Sequence, residues 1–224
     1  MIIHPCIDAE AVAQFAATAV IEEAGAAIAA RGVFHWALAG GTTPKRCYEL
    51  LREAEIDWPK AHIWFGDERC LPVGDAQRND LMADKALLNH VPIPPMQIHR
   101  MDAELGPELA AVRYAALLAD APEMDLILLG IGEDGHTASL FPGNPALEDQ
   151  RLAVPVYNSP KPPLERVSMG YAVLNAARRC LIMAAGAGKA DAILRIRNGK
   201  RLPVARVQGC EWLIDREAAG NAIV

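Results

Sequence analysis

At 224 residues, 52% of them hydrophobic, the chain is long enough to bury a full α/β core without a disulfide or a structural metal. Its net charge of −6, with no cluster of lysine and arginine, excludes the basic surface that grips a nucleic-acid backbone. An anion bound by such a chain must be held by a few local cations. The five cysteines are odd in number and contain no Cys-x-x-Cys pair, which argues against a disulfide framework or zinc site and for a reducing, cytoplasmic setting.

The first eight residues lack the basic start and apolar core of a signal peptide. The alanine-rich stretch 9–30 is interrupted by Glu10, Gln14, Glu22 and Glu23, and so reads as a buried helix rather than a membrane span. Asp8 can cap this helix and Gly32 can end it. Residues 33–38 form an apolar run suited to a buried parallel strand, broken by Gly40-Gly41-Thr42-Thr43-Pro44; helical spacing resumes over 45–54. A strand is expected at 62–65, then Gly66-Asp67-Glu68-Arg69, then helices at 79–89 and 107–119, the latter with Ala110, Tyr114, Leu117 and Leu118 on one face. The apolar run 125–129, bounded by Gly130, is a further buried strand. Strands are also expected at 152–157, 166–169 and 180–184 and a helix at 189–197, while 204–207 and 212–214 are ambiguous. The proline-rich segment 155–163 reads as a loop.

Alternating strands and helices predict a Rossmann-like α/β fold, 1–224 forming one domain with a largely parallel sheet covered by helices on both faces. Ligands of such sheets sit at the carboxyl ends of the strands, where 40–44, 66–69 and 130–136 all fall. Gly40, Gly41 and Thr42 join a strand to a helix, a place where free N–H groups favour an anion. Gly130-Ile131-Gly132-Glu133-Asp134-Gly135 matches G-x-G-x-x-G, but Pro142 and Gly143 cut off the long helix a dinucleotide site requires. Gly188-Lys189 resembles the end of a P-loop, yet Ala190 stands where a magnesium-binding hydroxyl belongs; a lone phosphate remains possible for Lys189. In Asp67-Glu68-Arg69 the guanidinium can fork onto an anionic substrate, or the three residues can form a local salt-bridge cluster. His4, His35, His62, His90 and His99 carry no motif. His136 does: it follows a buried strand and a glycine-rich turn, and an imidazole can take a proton from water near neutral pH. A carboxylate could orient it, and the sequence leaves open whether Asp134 makes that contact.

These segments together resemble the 6-phosphogluconolactonase family. The resemblance rests on Leu38-Ala39-Gly40-Gly41-Thr42-Thr43-Pro44, Trp64-Phe65-Gly66-Asp67-Glu68-Arg69 and the run from Leu128 through Asp134-Gly135-His136-Thr137-Ala138-Ser139-Leu140-Phe141-Pro142. Ser159-Pro160-Lys161-Pro162-Pro163 leading to Arg166-Val167-Ser168, and Leu174-Asn175-Ala176-Ala177-Arg178, extend it over nearly the whole chain. It implies a carboxylic ester hydrolase that converts 6-phospho-D-glucono-1,5-lactone to 6-phospho-D-gluconate in the oxidative pentose phosphate pathway, on a fold related to glucosamine-6-phosphate deaminases. It implies His136 as catalytic base with Asp134 beside it, Arg69 and Lys189 as cations at the phosphate, Gly40, Gly41 and Thr42 lining the pocket, and Asp67 and Arg166 as further substrate contacts. No metal or cofactor is expected, and neither nucleic acid nor a membrane as partner; the expected state is a monomer or weak homodimer. The related deaminases usually carry tyrosine where Arg69 stands and glutamate where Phe141 stands. Two departures from the family pattern, Arg78 before Asn79 and Met169-Gly170-Tyr171-Ala172, put local pocket contacts in question.

Overall fold

The computed structural model describes residues 1–220. Its centre is a seven-stranded, all-parallel sheet. The strands are β1 (Ile2–Cys6), β2 (Phe34–Leu38), β3 (Ala61–Phe65), β5 (Ile98–His99), β6 (Leu126–Gly130), β9 (Arg179–Ala184) and β10 (Glu211–Asp215), in spatial order β1-β10-β9-β6-β2-β3-β5. All five residues of β2 and the first four of β6 are buried. Successive strand residues point to opposite faces, so both faces of the sheet are covered, which is why these strands read as unbroken apolar runs.

Helix α1 (Ala9–Arg31) runs between Asp8, whose carboxylate accepts from the Ala11 N–H at 2.8 Å, and Gly32, which ends it at φ 80°. A cap of this kind contributes about 1 kcal/mol. The length and hydropathy of α1 would suit a membrane span, but Val12, Ala13, Ala16, Val20, Ala24 and Ala27 are buried and the helix packs on β1, β2, β9 and β10. Helix α2 (Thr42–Leu50) follows β2 directly, starting earlier than the spacing suggests because the turn at Gly41 already opens it. In α4 (Pro107–Ala119) the buried residues are Pro107, Ala110, Ala111, Tyr114 and Leu118; Leu117, expected on that face, is 46% exposed, since one residue step turns it about 100° away from Leu118. The expected helix 79–89 is α3 (Asn79–Ala83) continued by one wider π-type turn, Asp84–Leu88.

Two buried tyrosines brace the strand ends that lead to the pocket. Tyr48 of α2 donates to Ala39 O at 2.8 Å and accepts from Ala39 N at 2.9 Å. Tyr114 of α4 does the same for Phe65, at 3.2 and 2.9 Å. Each phenol thereby satisfies a backbone pair at the point where a strand stops.

A second sheet departs from the sequence expectation. The segments around 152–157 and 166–169 are strands, β7 (Ala153–Val156) and β8 (Arg166–Met169), but they lie outside the main sheet. They pair antiparallel with each other, and β8 pairs with β4 (Asp67–Arg69), in the order β4-β8-β7. Helix α5 (Tyr171–Ala176) leads into β9, α6 (Ala190–Arg197) follows it, and α7 (Arg216–Ala219) follows β10. Of the two ambiguous segments, 204–207 falls on a short 3-10 turn, Pro203–Arg206, and the extended residue Val207 that ends it, whereas 212–214 lies in a buried parallel strand.

Candidate active site

The chain runs outward from β2 to β3 and β5, then returns to lay β6 on the other side of β2. The loops after β2 and β6 therefore diverge, and such a switch point leaves a crevice at the carboxyl ends of the strands. A pocket of about 240 Å³ opens there, lined by Gly40 and Gly41 after β2, Gly66, Asp67 and Arg69 after β3, and Gly132 and His136 after β6.

The loop after β6 builds the imidazole site. Gly132 N–H donates to His136 O at 2.8 Å and Gly135 N–H to Gly132 O at 2.9 Å, closing a tight turn with Gly135 at φ 84°. A Cβ on Gly132 would lie 2.0 Å from His136 Nδ1, so only glycine lets the ring fold back over the turn. The Thr137 hydroxyl donates to Gly130 O at 2.8 Å and fastens the turn to its strand. Asp134 does contact His136: its Oδ1 lies 2.5 Å from Nδ1 and accepts from the His136 backbone N–H at 3.1 Å. Burial alone would raise the Asp134 carboxyl, but the hydrogen bond and charge of His136 outweigh it and hold it down at about 2. An ionised carboxylate against Nδ1 places the proton on that nitrogen and leaves the lone pair on Nε2. The Phe141 ring packs against the imidazole, centroids 4.4 Å apart, and Arg166 Cζ lies 5.4 Å from the Phe141 centroid.

The loop after β3 is built from carboxylates acting as struts. Asp67 accepts from the Ser139 hydroxyl at 2.6 Å and from Asn79 Nδ2 at 3.1 Å, tying three segments together beneath the pocket. Asn79 fits because Gly40 has no side chain: a Cβ there would lie 2.1 Å from Asn79 Oδ1. Glu68 is wholly buried and accepts N–H bonds from Arg69, Asn79 and Asp80, each at 2.8 Å. Burial pushes its carboxyl up to about 7, against the downward pull of the Asn79 N–H. Glu68 thus organises the loop and is not among the residues lining the pocket.

Four cations line the pocket: Arg69, Lys161, Arg166 and Lys189. Antiparallel pairing of β4 with β8 sets Arg69 directly across from Arg166. Among the described residues, none of the four forms a salt bridge, whereas Arg31, Arg78, Arg151 and Arg179 each hold at least one carboxylate. Arg69 donates through Nη1 to Gln77 O, and its buried Nε has no partner. Placing like charges side by side without salt-bridged carboxylates is unfavourable in an empty site and favourable around an anion.

Of the residues expected from the sequence, His136, Asp67, Arg69, Arg166, Lys189, Gly40 and Gly41 line the pocket, and Asp134 stands behind His136. Thr42 does not line it; as the first residue of α2 it is exposed. Neither departure from the family pattern reaches the pocket lining. Arg78 is buried in bonds to Asp80, Glu104, Leu71 O and Met101 O, and Met169 is core. Sequence reasoning passed over Asn79, Ser139, Phe141 and Lys161 as site residues. The only signal for Ser139, Phe141 and Lys161 was their place inside the quoted motifs, and for Asn79 its place beside the Arg78 departure.

Residues 7–214 match the family model described as glucosamine-6-phosphate isomerases/6-phosphogluconolactonase. A 6-phosphogluconolactonase of Streptomyces coelicolor is 38% identical over 96% of this chain and 92% of its own length. The crystal structure of 6-phosphogluconolactonase from Thermotoga maritima superposes with a TM-score of 0.89 at 26% identity, covering 96% of this chain and 99% of that one. A monomeric glucosamine-6-phosphate deaminase shares the fold, with a TM-score of 0.82 at 23% identity over 98% of this chain and 99% of that one.

Proposed function

This chain belongs to the family of glucosamine-6-phosphate isomerases and 6-phosphogluconolactonases, and we propose that it hydrolyses 6-phospho-D-glucono-1,5-lactone with His136 as general base. That it is a lactone hydrolase of sugar-phosphate metabolism follows from the curated relatives that it matches over most of their length and its own. The residue roles below are our reading of the pocket.

A lactone is an activated ester, so water needs only a base and an oriented carbonyl. His136 Nε2 draws the proton from a water as its oxygen bonds to C1. The tetrahedral intermediate then collapses, the ring C1–O bond breaks, and the imidazolium returns its proton to the departing ring oxygen. Asp134 holds the ring in the tautomer that leaves Nε2 free and stabilises the imidazolium, a pairing worth most in a partly buried site. Backbone N–H groups of the Gly40–Gly41 turn are the group type that stabilises a developing oxyanion. Arg69 and Lys189 hold the phosphate, with Arg166 beside them in the pocket wall, converting affinity remote from C1 into orientation at C1.

The observation that carries this reading is one pocket in which a carboxylate-backed imidazole faces cations that have no carboxylate of their own. The test is a coupled assay with freshly made lactone, set against its spontaneous decay. Hydrolysis no faster than that decay overturns the reading, and release of ammonia from glucosamine 6-phosphate would replace it with the deaminase reaction.

A further inference from the structure

We infer that Lys161 is a further phosphate-reading cation of this pocket, and that Arg166 is the positioning residue that sets it there by clamping the loop that carries it. The inference deepens the reading above and rests on it.

Lys161 belongs to none of the strand ends that build the rest of the pocket. It sits in the proline-rich connection between β7 and β8, and its side chain is exposed while lining the pocket. A lysine on a free loop would lose considerable freedom on meeting a ligand, of the order of 1 kcal/mol for the side chain alone and more for the backbone. This loop is not free. Ser159, itself buried, accepts from Lys161 N at 3.3 Å and donates to Lys161 O at 2.9 Å, and its own N–H bonds Leu164 O at 2.9 Å. Arg166 closes the loop from the other side. Its Nε donates to Pro163 O, and its Nη2 to both Lys161 O and Pro162 O, all at 3.1 Å.

Prolines 162 and 163 have no N–H to donate, so this stretch of the loop cannot be tied down through its own amides, and the Arg166 guanidinium holds it by the carbonyls of Lys161, Pro162 and Pro163 instead. A planar guanidinium can reach three consecutive carbonyls at once; a lysine ammonium is a point donor and cannot span them. Arg166 is only 6% exposed and is anchored in β8 opposite Arg69, so its position is fixed by the small sheet and not by the ligand. Two of its three nitrogens are committed to the loop. Its contribution to phosphate binding therefore passes largely through Lys161.

The test is a double-mutant cycle on KM for the phosphorylated lactone and on the inhibition constant of inorganic phosphate. Lys161→Ala is expected to raise both by roughly tenfold with kcat within about twofold, the signature of lost uniform binding. Lys161→Arg keeps the charge and restores most of the affinity. Arg166→Lys retains a cation but loses the fork, and is expected to raise KM by a similar factor. The double variant is expected to be no worse than Arg166→Lys alone, because coupled residues do not add. If Arg166→Lys does not fold, Ser159→Ala cuts the loop's other clamp and takes its place in the cycle. An unchanged KM in Lys161→Ala, or factors that multiply in the double variant, overturns the inference. A wild-type protein that fails to accelerate lactone hydrolysis overturns the functional reading instead, so the two failures are distinct.

Discussion

His136 and the group formed by His35, His62 and His99 occupy one sheet and behave in opposite ways. His136 follows the carboxyl end of β6, has an ionised carboxylate on Nδ1 and lines an open pocket. His35 and His62 lie near the amino ends of β2 and β3 and stack on each other, centroids 4.6 Å apart. His99 of β5 stacks on Trp64 at 3.9 Å and shares a hydrogen bond with His62 at 3.1 Å, while Trp64 Nε1 donates to His35 Nδ1. Burial pushes His35 and His99 down to about 4, His62 adding to the shift in both, and burial also lowers His62. Asp125, which accepts from the His35 N–H, pulls the other way and does not win. An imidazole is a proton carrier where it meets a carboxylate and a cavity, and an aromatic packing unit where it meets other rings.

The largest effect that could break this contrast is at His136. His136→Ala should lower kcat by roughly 10²–10⁴-fold, the usual share of a general base. A near-normal kcat, after subtraction of spontaneous lactone decay, removes it from that role. Asp134→Asn keeps the shape but removes the charge behind Nδ1, and a kcat loss of roughly 10–10²-fold is expected with little change in KM. Gly132→Ala drives a methyl group into the imidazole and Asp134, and should cost about tenfold in kcat by turning the ring off line; a fully active Gly132→Ala protein would show that the ring has room to move.

A separate effect belongs to the stacked histidines and appears in stability, with kcat unmoved. Their folded pKa values lie below the unfolded value, so the unfolded chain takes up protons first as pH falls. Stability is therefore fully present above about pH 6.5 and is lost between that pH and about 4, by on the order of 2 kcal/mol after allowance for partial exposure. His99→Gln should flatten the slope of the urea midpoint against pH. An unchanged slope in that variant would mean that other groups titrate in this window.

Much of the fold was legible in local pattern. Asp8 and Gly32 marked both ends of α1, and continuous apolar runs marked β2 and β6, because caps and buried strands follow from the residues themselves. The small sheet was not legible. Its partners, Asp67–Arg69 and Arg166–Met169, are far apart in the chain, and a short strand carries no record of which segment completes its hydrogen bonds.

By itself the sequence determined the alternation of strands and helices, the glycine turns at their ends and the presence of His136 in one of them, since each is a matter of neighbouring residues. Tertiary structure decided that Glu68 and Arg78 are internal struts, and that Arg69, Lys161, Arg166 and Lys189 gather around one cavity with no salt bridge to a carboxylate among the described residues. Those outcomes depend on which distant groups come within a few ångströms of each other. Charge and hydrogen bonding act over that distance in space, whatever the separation along the chain.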